Sequence, residues 1–235
     1  MKVSIVIPAH NEERIIAATV ENAKKIRYPD YEIVVVNNAS SDNTASAARA
    51  TGVKVVDEPR KGLLFAREAG RRAASGEIIA NLDADCLPDP EWLARAIPLF
   101  KNPKVVGVSG GYDYRDAPPL VRYFFLFIQR FIFVPGNALF NVFGVGGILC
   151  GGNNLLRASA LEAIGGYDTS ILFYGEDADT AKRISKVGKI MYTDKLTIPS
   201  SGRRFRAQGS FKTIGKYTVM FFKNLVGMEL KNTAE

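Results

Sequence analysis

Four short apolar runs, each followed by polar or helix-like sequence, constrain what this chain can fold into more than any other feature. Val3–Pro8, Glu32–Val36, Val53–Val56 and Ile78–Leu82 have strand length and are largely apolar. Strands read that way when both of their faces are covered, as in a parallel sheet. Between the first two, Ile15, Ile16, Thr19, Val20, Ala23 and Ile26 recur at helical spacing. Asn11 is placed to cap that helix, and Glu12 and Glu13 favour its positive end. Ala45–Ala50 continues as a second helix stopped by Gly52, and Gly62–Ala74 forms a third. Four strands alternating with helices predict a doubly wound α/β sheet with right-handed crossovers.

The fourth strand ends abruptly at Asp83-Ala84-Asp85, followed by Pro88 and Asp89-Pro90-Glu91-Trp92. Open α/β sheets bind their ligands beyond the carboxyl ends of their strands. Two carboxylates one residue apart at that place suit Mg²⁺ or Mn²⁺, hard cations that reach proteins through one or two carboxylates plus substrate phosphates. A polar turn leading into a helix accounts for part of the stretch, with Asp89 as N-cap and Pro90 at the first helical position.

The alternation breaks down after a helix over Trp92–Phe100 and a strand over Val105–Gly110. Arg122–Val134 is dense in Phe and Ile, and no charge occurs between Arg130 and Arg157. Pro135, Asn137, Asn141 and the glycines at 144, 146, 147, 151 and 152 interrupt the apolar stretch and disfavour one continuous spanning helix. The expectation is a helix over Leu120–Val134 with an exposed apolar face and a returning strand over Ile148–Leu156. Gly175-Glu176-Asp177-Ala178-Asp179 opens another helix, with Ala178, Ala181, Ile184 and Val187 as its stripe, before a strand over Ile190–Tyr192. A basic cluster, Arg203–Arg206, precedes an amphipathic segment carrying Phe211, Ile214, Tyr217, Phe221, Phe222 and Leu225, with Lys212, Lys216 and Lys223 largely elsewhere around it.

With 31 Lys and Arg against 24 Asp and Glu, the chain carries +7 and favours anionic partners. No basic strand pair interleaved with aromatics supports nucleic acid. Cys86 and Cys150 have neither metal-ligand nor redox spacing, which makes a reducing compartment the expectation and leaves a disulfide between them open. Val3–Ala9 is short, contains Pro8 and lacks a small-residue cleavage site, so it reads as a strand rather than a secretory leader.

Six stretches in order resemble the inverting family 2 of the nucleotide-diphospho-sugar glycosyltransferases. They are Val3–Glu12, Val34–Thr44, Gly76–Asp85, Gly151–Arg157, Gly165–Asp168 and Gly175–Asp177. The resemblance implies the GT-A fold, a Rossmann-like, mixed but mainly parallel sheet flanked by helices, over residues 1–206. Residues 1–110 would form the nucleotide-binding half and 111–206 the acceptor half, with 207–235 a C-terminal amphipathic helical elaboration.

It implies that the loop Pro8–Glu12, including Ala9 and Asn11, and Asn38 hold base and ribose, with Lys61 a uridine or phosphate contact. Many relatives carry Asp-Asp where this chain has Asn37-Asn38, so which base is read stays open. Asp83 and Ala84 would approach the nucleotide sugar, Asp85 with Asp83 would hold the metal, and Arg203 and Arg204 would grip the diphosphate. Asp177 corresponds to the catalytic base, and Gly152, Asn153 and Glu176 border the acceptor. By itself, Asp177 at a helix start reads first as an ordinary dipole-favouring acid, and His10 reads as a structural or nucleotide-side residue. The Gln/Arg-x-x-Arg-Trp form is absent around Arg203–Arg206, which points away from processive polymer synthesis.

The expected function is metal-dependent inverting transfer of a hexose from a UDP- or GDP-sugar to a lipid-linked or saccharide acceptor. The expected location is cytoplasmic, peripheral on the inner face of the cell membrane, and an oligomer is left open. A sugar nucleotidyltransferase and a non-catalytic sugar-nucleotide-binding module are the alternatives. The former is disfavoured because no early glycine-rich, Arg- and Lys-bearing loop is present.

Overall fold

The computed structural model describes residues 1–144, 146–171, 175–203 and 205. Its first part alternates as the sequence predicts: β1 (Val3–Ala9), α1 (Ile16–Ala23), β2 (Tyr31–Asn38), α2 (Thr44–Ala50), β3 (Lys54–Glu58), α3 (Leu63–Ala73) and β4 (Ile78–Leu82). Next come α4 (Trp92–Ala96), extended by a 3₁₀ turn over Ile97–Lys101, then β5 (Val105–Ser109) and β6 (Tyr112–Asp113). A long rod follows, made of α5 (Pro119–Ile128), a π-turn over Gln129–Phe133 and α6 (Val134–Phe143). The remaining elements are β7 (Asn153–Arg157), α7 (Ala158–Ala163), α8 (Glu176–Ile184), β8 (Lys189–Tyr192) and β9 (Ile198–Pro199).

Seven strands form one sheet in the order β3-β2-β1-β4-β7-β5-β8, and β6 pairs with β9 beside it. Every pairing in the large sheet is parallel except those of β7, which runs antiparallel to both β4 and β5. Successive strand residues point to opposite faces, so the sheet feeds two cores. Ile5, Ile7, Val35, Ala80, Leu82 and Leu155 pack with Ile16 and Val20 of α1 and with Trp92 and Leu93 of α4. Val6, Val34, Val36, Ile79 and Leu156 pack with Leu64 and Ala66 of α3 and with Ala181 and Ile184 of α8. The result is a three-layer α/β/α sandwich. Because β7 lies between β4 and β5, both halves of the chain share one sheet.

Three local expectations are corrected. Asn11 does not cap α1, which starts at Ile16. Asn11 instead adopts φ 55° and accepts the Ser41 amide at its Oδ1 (2.8 Å), a left-handed turn that asparagine tolerates. Asp89 closes a local turn by accepting the Glu91 amide at 2.8 Å, and α4 begins later, at Trp92. The returning strand spans Asn153–Arg157, not Ile148–Leu156, because Gly151 and Gly152 turn toward β4 first.

The rod continues well past Val134. A π-turn immediately before Pro135 reorganises the backbone where proline lacks an N–H, so the helix continues through to Phe143. Its packing is inverted. Gln129, Asn137 and Asn141 face the body, while Leu120, Tyr123, Phe127, Phe131, Leu139, Val142 and Phe143 are exposed. The Gln129 amide brackets Tyr112, accepting its N–H at 2.6 Å and donating to its carbonyl at 2.9 Å. Asn137 and Asn141 both donate to the Ile190 carbonyl on edge strand β8, at 2.8 and 2.7 Å.

Candidate active site

The carboxyl ends of β1, β2 and β4 meet the turn before β7 and the start of α8. Asp83-Ala84-Asp85 is held there by its backbone: the Asp83 N–H donates to the Gly152 carbonyl (3.3 Å) and the Cys86 N–H to the Asp83 carbonyl (3.0 Å). The Thr19 hydroxyl reaches the Ala84 carbonyl from α1. Ala84 is buried, so both aspartates project from one pinned turn while keeping partial access to solvent.

Gly151-Gly152 crosses in front of that turn. A Cβ on Gly152 would lie 2.0 Å from Asp83 Cγ, and one on Gly151 would lie 2.5 Å from Asp177 Oδ1. Glycine is required at both positions because two carboxylates close in from opposite sides. Asp177, in the first turn of α8, accepts the Gly151 amide at 3.0 Å. The Gly152 amide donates to the Tyr112 hydroxyl at 2.7 Å.

Asp177 keeps about a third of its side-chain surface open (35%) yet sits deep among protein atoms. Loss of water around it, followed by the charges of Glu176 and Asp83, pushes its pKa up to about 7 against the opposing pull of Arg67 and the Gly151 amide. Arg203, from the far edge, forks onto the Glu12 carboxylate and brings its Nε to 3.6 Å from Asp85 Oδ2.

Asp83, Asp85 and Cys86 offer ligand atoms within 4.8 Å of one another. Burial pushes the Cys86 thiol well up, so it is a poor ligand near neutrality. That leaves two hard carboxylates on a rigid turn, a donor set that fits Mg²⁺ or Mn²⁺ whose other ligands come from phosphate and water. Both cysteines are free.

The structure brings Glu12, Asp83, Asp85, Gly152, Glu176, Asp177 and Arg203 together. Pro8 and Ala9 are buried at the end of β1, and the exposed Asn11 and Lys61 lie at the rim of the first loops. Asn38 lies beneath that rim. Its Oδ1 accepts the Gly62 amide (2.9 Å) and its Nδ2 donates to the Arg60 carbonyl (2.7 Å), so the side chain positions the loop bearing Lys61. His10 Nδ1 bonds the Asn38 carbonyl at 2.7 Å, as a structural histidine would. Asn153 is fully buried: it accepts the Trp92 indole N–H at 3.0 Å and donates to the Gly111 and Leu196 carbonyls. It therefore anchors the start of β7 to α4 and to the Gly111 and Leu196 backbone. Arg204 and the 207–235 segment lie outside the described residues.

Two residues at the site were not anticipated. Tyr112 required the β6 pairing to be placed. Arg67 did leave a signal, an arginine three residues after Leu64 on the face of α3 that the apolar pattern assigns to the core.

A sheet of this order, with paired aspartates at the end of β4 and a carboxylate facing them from α8, defines the GT-A class of nucleotide-sugar-binding folds. Residues 4–165, more than half the chain, match glycosyl transferase family 2, and the chain belongs to that family. Its sequence is similar to glycosyltransferase AglE of Haloferax volcanii, with 32% identity over 48% of this chain and 40% of that one. Its structure is similar to a mannosyltransferase of Pyrobaculum calidifontis in complex with GDP-Man and Mn²⁺, with 26% identity, TM-score 0.69, and coverage of 85% of this chain and 56% of that one. Glucosyl-3-phosphoglycerate synthase of Mycobacterium tuberculosis, in complex with Mn²⁺ and UDP, shares the fold at 20% identity and TM-score 0.59, over 85% and 70% of the two chains. The chain spans less than half the length of the curated relatives it matches.

Proposed function

We propose that this chain is a metal-dependent inverting glycosyltransferase, moving a hexose from a UDP- or GDP-sugar to a hydroxyl of a lipid-linked or saccharide acceptor. The observation that carries the reading is the opposition of the Asp83/Asp85 turn and Asp177 across Gly151-Gly152.

The loop Pro8–Glu12, with Asn38 holding the loop of Lys61, receives base and ribose. Arg203, joined by Arg204, binds diphosphate oxygens, for which guanidinium forks are suited. Asp83 and Asp85 hold Mg²⁺ or Mn²⁺, which when bound neutralises charge on the departing nucleoside diphosphate. Asp177 takes the proton of the acceptor hydroxyl as its oxygen bonds to the anomeric carbon. The bond from that carbon to the diphosphate breaks with its electron pair staying on the diphosphate oxygen, and the configuration inverts. Glu176 and Gly152 border the acceptor, and Asn153 supports them. A panel of UDP- and GDP-sugars, assayed for sugar release with Mn²⁺ and with EDTA, tests the reading. Release from one donor, lost in EDTA, is expected; release that ignores EDTA contradicts metal dependence, and release from none contradicts the enzyme.

The rod supports an amphiphilic acceptor and a peripheral site on the cytoplasmic membrane face. Pro119–Phe143 has 25 residues; its most apolar stretch has mean hydropathy 1.4, and only 11% of that stretch is buried. Its amides tie it along the protein, which favours lying on a bilayer over crossing one. The balance of +7 adds attraction to anionic headgroups, about 1 kcal/mol per basic residue near the surface. Salt-sensitive flotation with anionic vesicles is expected. Phe127→Ser with Phe131→Ser should weaken partitioning about tenfold or more, since each removes over a kilocalorie of apolar transfer. Failure of the parent to float at low salt contradicts the assignment.

A further inference from the structure

Arg67 is 3% exposed, yet it stands between the two acidic halves of the site. Its Nη2 lies 3.6 Å from Asp83 Oδ1 and its Nη1 3.4 Å from Asp177 Oδ1. Its Nε meets no hydrogen-bond partner among the described residues. Burying a guanidinium with one N–H unmatched is costly, and apolar residues of similar volume commonly replace buried ion pairs without loss of stability. Packing of α3 therefore does not account for this arginine.

The backbone opposite is cut back to admit it. A Cβ on Gly151 would meet Arg67 Nη2 and Asp177 Oδ1, each at 2.5 Å. Gly151 thus clears the space in which the guanidinium meets the Asp177 carboxylate, and Gly152 leaves room for the Asp83 side chain itself. Both contacts are long, so neither carboxylate is locked and each keeps lone pairs for its own work. A planar fork spans two carboxylates; a lysine ammonium, a single point charge, centres on one. Burial alone would weaken the protonation of Arg67, but the Asp177 and Asp83 carboxylates outweigh it, so the cation is permanent.

We propose that Arg67 is a positioning residue shared by the donor and acceptor sides, setting the distance and orientation between Asp83 and Asp177. The inference rests on the assignment of Asp177 as the base. Arg67 touches no reacting atom; it fixes where the proton acceptor stands relative to the bound donor.

Arg67→Lys and Gly151→Ala, each made alone and in an Asp177→Asn background, provide the test. Arg67→Lys keeps the charge but loses the fork, and Gly151→Ala keeps every charge and wedges the pair apart. Either variant alone should lower kcat about 10²-fold, the scale of a misplaced catalytic group. In the Asp177→Asn background the same changes should alter the residual kcat by less than about threefold, because groups acting as a unit are not additive. Donor binding by calorimetry should still weaken with Arg67→Lys in that background, because the contact with Asp83 is independent of Asp177. A purely structural role predicts the same fold-loss in both backgrounds and would overturn the proposal, as would parental kcat in both single variants. If Arg67→Lys fails to fold, Gly151→Ala carries the comparison alone. An Asp177→Asn enzyme with parental kcat would instead remove the base assignment, and this inference with it.

Discussion

Asp177→Asn is expected to bind the sugar nucleotide as the parent does and to lose transfer to a hydroxyl acceptor by about 10²-fold or more, the usual scale of general-base catalysis. The substitution preserves an acceptor for the Gly151 amide, which donates to Asp177 at 3.0 Å, so the turn is retained. The substitution removes proton uptake together with the charge that faces Arg67 Nη1 at 3.4 Å. The parent should also show a defined pH dependence. Asp177 is held up near 7 by loss of water and by Glu176 and Asp83, so it is protonated and idle below that pH. Transfer should rise with pH as Asp177 loses its proton, roughly tenfold per unit on the acid side, and this limb, lying lower once a cation on Asp83 offsets that carboxylate's charge, should be absent from the residual activity of Asp177→Asn. Near-parental turnover would remove Asp177 from the role and point to an acceptor that is already anionic, such as a phosphate, and needs no base.

The sequence carries the sheet because the information needed for it is local. Val3–Ala9 and Ile78–Leu82 are apolar on both faces, and a strand with that pattern belongs inside a covered sheet. Asp83 and Asp85 are legible for the same reason, since an apolar strand that stops at two carboxylates marks its own carboxyl end. What could not be read depends on distant partners. The antiparallel insertion of β7 follows from Asn153–Arg157 pairing with both β4 and β5, which no local pattern encodes. The passage of the rod through Pro135 requires a π-turn whose Gln129 is satisfied by Tyr112, seventeen residues earlier. Asn38 looks like a ligand-binding amide in sequence, whereas its hydrogen bonds are to the loop ending at Gly62. Arg67 is missed because its partners come from β4 and α8, sixteen and 110 positions along the chain.

If the turn after β4 holds the donor through a divalent cation, Asp85 is the residue on which that hold depends. Loss of Asp85 removes one of two hard oxygen ligands on a pinned backbone, and Cys86, buried with its thiol pushed well up, cannot replace it. The expected loss of metal-dependent donor affinity is about 100-fold or more, the upper end of what removing groups merely behind a ligand costs. The fold should survive, because Asp85 lies partly exposed at a turn whose backbone bonds come from Asp83, Cys86, Gly152 and Thr19. The decisive measurement is calorimetric titration of UDP and GDP into the parent and Asp85→Ala, each with Mn²⁺ and with EDTA. Tight binding of one nucleotide to the parent with Mn²⁺ is expected, with collapse of that binding in EDTA and equally weak, Mn²⁺-insensitive binding to an Asp85→Ala protein of unchanged melting temperature; this is the outcome of a donor held through the cation. Parental, Mn²⁺-dependent affinity in Asp85→Ala would contradict it.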